Sequence, residues 1–141
     1  YETGVSKNVA EALNFQAKRH FRSIAIYRIV GDDAVRIASE GATCGQCERV
    51  PITSSNIGLV ARTGKPHVGE DVWQDPMYKS CFSGVTAETV VPVNLNGTVL
   101  AVIDVEADGA TPICSSEIET FAIESTTYLP IANSAVTFER T

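Results

Sequence analysis

The sequence predicts an α+β domain: a central antiparallel sheet with helices on one face and a loop-enclosed pocket on the other. Three observations carry this expectation. Ser23–Val30 and residues 34–39, then residues 86–94 and 98–106, form two pairs of β-rich segments, each pair joined by a tight-turn signal. Helical patterns stand at both ends of the chain. Between the pairs, residues 40–85 carry glycines, prolines and cysteines with one short helical stretch. Terminal helices around an antiparallel sheet suggest a layered α+β arrangement.

Each element has its own warrant. Val5, Val9, Ala12, Leu13 and Ala17 recur at helical spacing and mark one face of an N-terminal helix. Ser23–Val30 is an Ile-rich run containing Tyr27 and reads as a buried strand. Gly31-Asp32-Asp33 turns the chain, and Val35 and Ile37 alternate with polar neighbours on the returning strand. Residues 40–49 read as a loop with Gly41, Gly45, Cys44 and Cys47. Ser54 and Ser55 suit the start of a short helix bearing Ile57, Val60 and Ala61, which Gly64 ends and Pro66 prevents from continuing. Residues 67–69 suit a short strand. Residues 71–85 form a long loop, expected to hold one helical turn after Pro76. A loop of that length inside a compact domain is usually functional.

Asn96-Gly97 is a hairpin-turn signal between the last two strands. Pro92 cannot donate to a ladder and belongs at an edge or a bulge. Ser116 and Glu119 have capping-box spacing at the start of the last helix. Ile118, Phe121, Ala122, Ser125, Tyr128, Leu129, Ala132 and Val136 form its apolar stripe, and Pro130 should kink or divide it.

With 141 residues, the chain is expected to be one domain spanning 1–141. Its net charge is −6, from 11 basic and 17 acidic residues, and no basic run occurs. Nucleic acid is therefore not an expected partner. No apolar run is long enough to span a membrane as a helix. Four cysteines are too few for a secreted disulfide scaffold, which points to a cytoplasmic protein with reduced thiols. The chain begins with Tyr1 rather than Met, the mark of a trimmed chain or a piece of something longer. Cys44-Gly45-Gln46-Cys47 has neither a second cysteine pair nor a histidine at short spacing, so neither metal nor cofactor is expected. Cys114 reads as filler before the last helix. His67 suits an edge histidine better than a haem ligand.

The order of punctuation from Gly58 to Glu106 resembles that of GAF domains, small sensory α/β modules. Its parts are Gly58…Gly64-Lys65-Pro66, Glu70-Asp71-Val72, Asp75-Pro76-Met77-Tyr78, Ala87-Glu88, Asn96-Gly97 and Asp104-Val105-Glu106. The resemblance covers nearly the whole chain. It implies a single pocket between the sheet and the loops of residues 40–85, lined by Trp73, Tyr78, Glu88, Asp104 and Glu106. It also implies helices that pair into a homodimer and lead to an output domain.

A second resemblance lies within that family, to the free methionine-(R)-sulfoxide reductases. Asp71 to Cys81 is ten residues and Cys81 to Glu88 is seven, the spacing of their catalytic cysteine. Cys47-Glu48-Arg49-Val50-Pro51 stands where their resolving cysteine does, and Asp104 and Glu106 match their paired carboxylates. The resemblance implies Cys81 as nucleophile, Cys47 as resolving thiol and Glu88 among the catalytic acids. A third enzyme cysteine would fall at Ile57. The Trp-x-Gly-Phe-Tyr pattern of the enzymes is here Ser23-Ile24-Ala25-Ile26-Tyr27, and their Gly-Pro-Phe-Gln-Gly loop is replaced by the segment from Glu40 to Cys44-Gly45.

Three functions fit the sequence. The first is a GAF module that binds a small molecule and signals through flanking helices, which explains the most of the chain. The second is the reductase. The third is a thiol sensor in which a Cys47–Cys81 disulfide switches a partner. In the first, Glu88 and Asp104 only hold ligand or structure, and Cys81 has no chemical role.

Overall fold

The computed structural model describes residues 22–41, 45–69, 71–78, 84–95 and 97–107. These form a six-stranded antiparallel sheet with one α-helix packed on it. The strands are β1 (Ser23–Val30), β2 (Asp33–Gly41), β3 (Arg49–Pro51), β4 (His67–Gly69), β5 (Ala87–Leu95) and β6 (Thr98–Ala107). Helix α1 is Ser55–Thr63. The spatial order is β3-β2-β1-β6-β5-β4, so the two hairpins meet at the β1–β6 pair in the centre. The expected terminal helices lie outside the described residues.

Alternation along the strands sorts the core into two layers. Ile24, Ile26, Val91, Val93, Ala101, Ile103, Val105 and Ala107 are buried on one face. Ala25, Tyr27, Ala34, Val50, Val90 and Val102 are buried on the other, where Ile57 and Val60 of α1 meet them. Helix α1 rests against β5, β6, β2 and β3. Gly58 permits that approach, because a Cβ there would lie 2.7 Å from the Ile52 carbonyl carbon. Gly64 ends the helix in the left-handed conformation at φ 69°, and its amide reaches the Val60 carbonyl. Ser54 stands at the N-cap position, yet its hydroxyl donates to the Pro51 carbonyl instead of capping. Ser55 has φ 61°, unusual for a residue with a Cβ.

Two bulges set the register. Between Ile26 and Tyr27 of β1 the pairing with β2 slips by one, with Ile37 the extra residue. The second bulge lies between Val93 and Asn94, where β6 carries Leu100 as the extra residue. Pro92 falls two residues beyond the last residue of β5 that pairs with β4, where the outer edge of β5 has no neighbour in the sheet.

Three local details add to the sequence expectation. The stretch after Gly41 holds a 3₁₀ turn at Gly45–Cys47 and then β3, whose pairing with β2 is only three residues long. Among its described residues the cross-loop holds a 3₁₀ turn at Val72–Gln74, ahead of Pro76, and residues 79–83, where a turn after Pro76 would continue, lie outside them. The 3₁₀ turn forms there because the Asp71 carboxylate accepts from the Trp73 amide at 3.0 Å. After it, the Asp75 carboxylate accepts from the Met77 amide at 3.0 Å and closes a side-chain turn.

Candidate functional site

Asp104 and Glu106 are two apart on β6 and therefore share a face. That face also carries Val102 and Val90, the layer covered by α1. Glu88 joins them from β5, directly opposite Glu106. Its arrival depends on the Leu100 bulge. The pairing next to the turn, Leu95 with Thr98 and Asn94 with Val99, would continue to Glu88 opposite Val105. Glu88 would then point to the other face of the sheet. The one-residue insertion moves it onto the face of the other two acids.

The three carboxyl groups are buried, at 4 % exposure for Glu88, 6 % for Asp104 and 5 % for Glu106. One oxygen from each lies within 4.8 Å of the others. Like charges so close and so dry cannot all persist, so the group must retain protons. Burial, then the charges of Glu88 and Glu106, hold the Asp104 carboxyl well above the usual range. Asp104 also shares a hydrogen bond with Glu88 that requires its proton. Burial and the Glu88 charge push Glu106 up to about 8, against a hydrogen-bonding contribution from Tyr78. The Tyr78 hydroxyl leans on Glu106 without reaching full hydrogen-bond geometry.

Other elements supply the surroundings. Asn56, 1 % exposed, is the second residue of α1. Its Nδ2 donates to Glu88 Oε1 at 2.9 Å and to Asp75 Oδ2 at 2.8 Å. His67 Nε2 meets the same Asp75 oxygen at 2.8 Å. Burial disfavours the Asp75 carboxylate, but the donors Asn56, the Met77 amide and His67 outweigh it and hold its carboxyl below the usual range. Tyr27 donates to the Cys47 carbonyl at 2.6 Å and anchors the Gly45–Cys47 turn over the sheet. Burial, then the Asp104 charge, push the Tyr27 phenol up, and the Cys47 thiol lies close enough to act on both Tyr27 and Asp104.

Thus Cys47, Tyr78, Glu88, Asp104 and Glu106 are in one neighbourhood. Trp73 is apart from it in character, 81 % exposed in the Val72–Gln74 turn. Cys81 and Cys44 lie outside the described residues. Asn56, Asp75, His67 and Tyr27 are site neighbours that sequence reasoning did not assign. Asn56 left one trace: it is four residues before Val60, a polar side chain on the buried stripe of a helix.

The chemistry of the group is that of an acid beside an acceptor. Two buried acceptors, Asp104 Oδ1 and Asn56 Oδ1, have no hydrogen-bond partner among the described residues. Such atoms favour a ligand rich in N–H donors. The carboxyl oxygens are near enough to touch one cation, but Glu88 Oε1 already accepts from Asn56 and Asp104 shares its proton with Glu88. An organic ammonium, which brings its own donors, suits the set better.

No family model and no curated protein matches the sequence. Solved structures do. The type II free methionine-R-sulfoxide reductase from Thermoplasma acidophilum superposes with TM-score 0.84 at 18 % identity, over 94 % of this chain and 94 % of that one. The reductase from Neisseria meningitidis, solved in complex with its substrate, gives 0.82 at 19 %, over 94 % of this chain and 81 % of that one. The GAF domain of an Acinetobacter phosphoenolpyruvate-protein phosphotransferase gives 0.81 at 13 %, over 95 % of this chain and 86 % of that one. At these identities the likeness is one of fold, and it is shared between reductases and GAF domains. The chain has a GAF-like fold, with solved likenesses among both GAF domains and free methionine-R-sulfoxide reductases.

Proposed function

We propose that this chain reduces free methionine-(R)-sulfoxide. The observation that carries the reading is the convergence of Glu88, Asp104 and Glu106 in one buried group beside the Cys47 turn. In this reading the unpartnered acceptors take the ammonium of a free amino acid. The Cys81 thiolate attacks the sulfoxide sulfur, and a carboxylic acid protonates the oxygen. Glu106 suits that role, because its proton is held to about pH 8, close to a working pH. The oxygen passes to the cysteine: sulfoxide and thiol become thioether and sulfenic acid. The sulfenic acid condenses with the Cys47 thiol, releasing water and leaving a disulfide. An external dithiol then reduces that disulfide. Such a cycle needs reduced thiols, which favours the cytoplasm. Among the described residues no helix is long and apolar enough to cross a membrane.

The likeness to GAF domains of phosphotransferases supports a second reading, a sensory module that holds an amine-bearing small molecule on the same acids and acts through a homodimer. Turnover decides between them. Free methionine-(R)-sulfoxide and a dithiol should be consumed by the wild type and not by Cys81→Ser, with Glu106→Gln slowed by about 100- to 10,000-fold. A folded, reduced wild type without turnover would overturn the reductase and leave the sensory reading.

A further inference from the structure

Asn56 offers Oδ1 to an ammonium, and its Nδ2 does something separate: it carries a hydrogen-bond line from Glu88 towards the surface. The line runs from Glu88 Oε1 through Asn56 Nδ2 to Asp75 Oδ2 and on to His67 Nε2, in steps of 2.9, 2.8 and 2.8 Å. It joins β5, α1, the cross-loop and β4, and it passes from the interior to a histidine side chain that is 25 % exposed. Asn56 is the turning point. Both of its observed bonds are donated, each to a carboxylate, so its amide orientation is fixed by chemistry: the reverse orientation would set oxygen against oxygen.

We propose that Asn56 is a positioning residue, which fixes Glu88 as the hydrogen-bond acceptor of the buried acid group. The proposal rests on the reductase reading for its bearing on catalysis, while the hold of Asn56 on Glu88 stands on geometry. An N–H donor favours the charged form of the carboxylate it touches. A Glu88 held as acceptor can take the hydrogen bond that Asp104 shares with it, and its charge keeps Glu106 protonated. Asp75 holds Asn56 in place and is itself held by His67 and the Met77 amide.

The other groups around the acids come from every packed element. Asp104 and Glu106 face Glu88 from β6, and Tyr78 faces Glu88 and Glu106 from the cross-loop. Cys47 from the turn before β3 and Tyr27 from β1 bear on Asp104, with Arg36 of β2 acting on Tyr27. Asn56 is the side chain that hydrogen-bonds to Glu88 from α1.

The test is the Glu106 titration midpoint, read by carboxyl-carbon NMR in the full chain, together with the basic limb of the pH–rate profile. In Asn56→Leu, Glu88 loses the N–H that fixes it as acceptor, so the negative charge of the acid group is no longer confined to Glu88 and is shared with Glu106. The Glu106 midpoint should fall by about one pH unit, and the basic limb of turnover should move with it. Asp75→Ala, a loop change that keeps Asn56 but frees it, should give a smaller shift in the same direction. It also decides the matter if Asn56→Leu does not fold. A Glu106 midpoint unchanged or raised in the folded variants overturns the proposal. The NMR readout needs no turnover, so an inactive wild type would remove the reductase reading and still leave the role of Asn56 open to decision.

Discussion

Replacing Glu106 by Gln should make the chain more stable at high pH and flatten its stability profile. Glu106 is 5 % exposed, and burial and the Glu88 charge raise its carboxyl from 4.5 to about 8. The folded chain therefore holds this proton more tightly than the unfolded chain. Below pH 4.5 both states are protonated and the contribution is fully present; it is lost as pH rises from 4.5 to about 8. That interval is about 3.5 pH units at about 1.4 kcal/mol each, on the order of 5 kcal/mol. The figure is an upper bound, since water admitted to an ionised Glu106 relaxes the penalty. It is large beside the roughly 5–15 kcal/mol that holds a domain together. Gln keeps the shape and an acceptor for Tyr78 but cannot ionise. Urea unfolding across this pH range, followed by far-UV circular dichroism, reads the difference. The only tryptophan, Trp73, is too exposed to report on the core. The two proteins should nearly coincide at pH 4.5 and diverge by several kcal/mol, in favour of Gln, above about 8. Parallel profiles would refute the reasoning, because Glu106 would then titrate alike in both states.

Two further substitutions test the scaffold. Gly58→Ala would stabilise an open helix by about 1 kcal/mol, but here the new Cβ meets the Ile52 carbonyl and Cα. A loss of about 1–3 kcal/mol is expected, seen as a lower Tm, and a raised Tm would contradict the packing of α1 on the β3–α1 connection. Tyr27→Phe removes the 2.6 Å bond to the Cys47 carbonyl and should cost about 1 kcal/mol in urea unfolding. Unchanged stability would mean that Tyr27 does not anchor the turn.

The sequence was most informative where its patterns were long. Ser23–Val30 was read with the bounds it has, because an eight-residue apolar run admits few alternatives. The paired Gly64 and Pro66 stopped α1 at Thr63 for reasons of backbone conformation that any context must respect. The shared face of Asp104 and Glu106 follows from strand periodicity alone. The position of Glu88 does not. It rests on the Leu100 bulge, which Pro92 nearby on β5 permits as one of two options, edge or bulge, without fixing its place or the residue inserted. The 3₁₀ turn at Val72–Gln74 is not legible in composition, because it rests on a local bond to the Asp71 carboxylate, as the next turn rests on Asp75. Asn56 was missed for a related reason. An asparagine after two serines reads as helix-start chemistry, and only the fold brings Asp75 and Glu88 to its amide.

The central claim is that the acid group serves thiol chemistry on a free sulfoxide. The most direct measurement is single-turnover reduction of free methionine-(R)-sulfoxide by the pre-reduced chain, with wild type beside Cys81→Ser. One methionine should form per wild-type chain, with two thiols lost and a Cys47–Cys81 disulfide in their place, and Cys81→Ser should give neither product. A folded, reduced wild type that forms no methionine and keeps its thiols would contradict it.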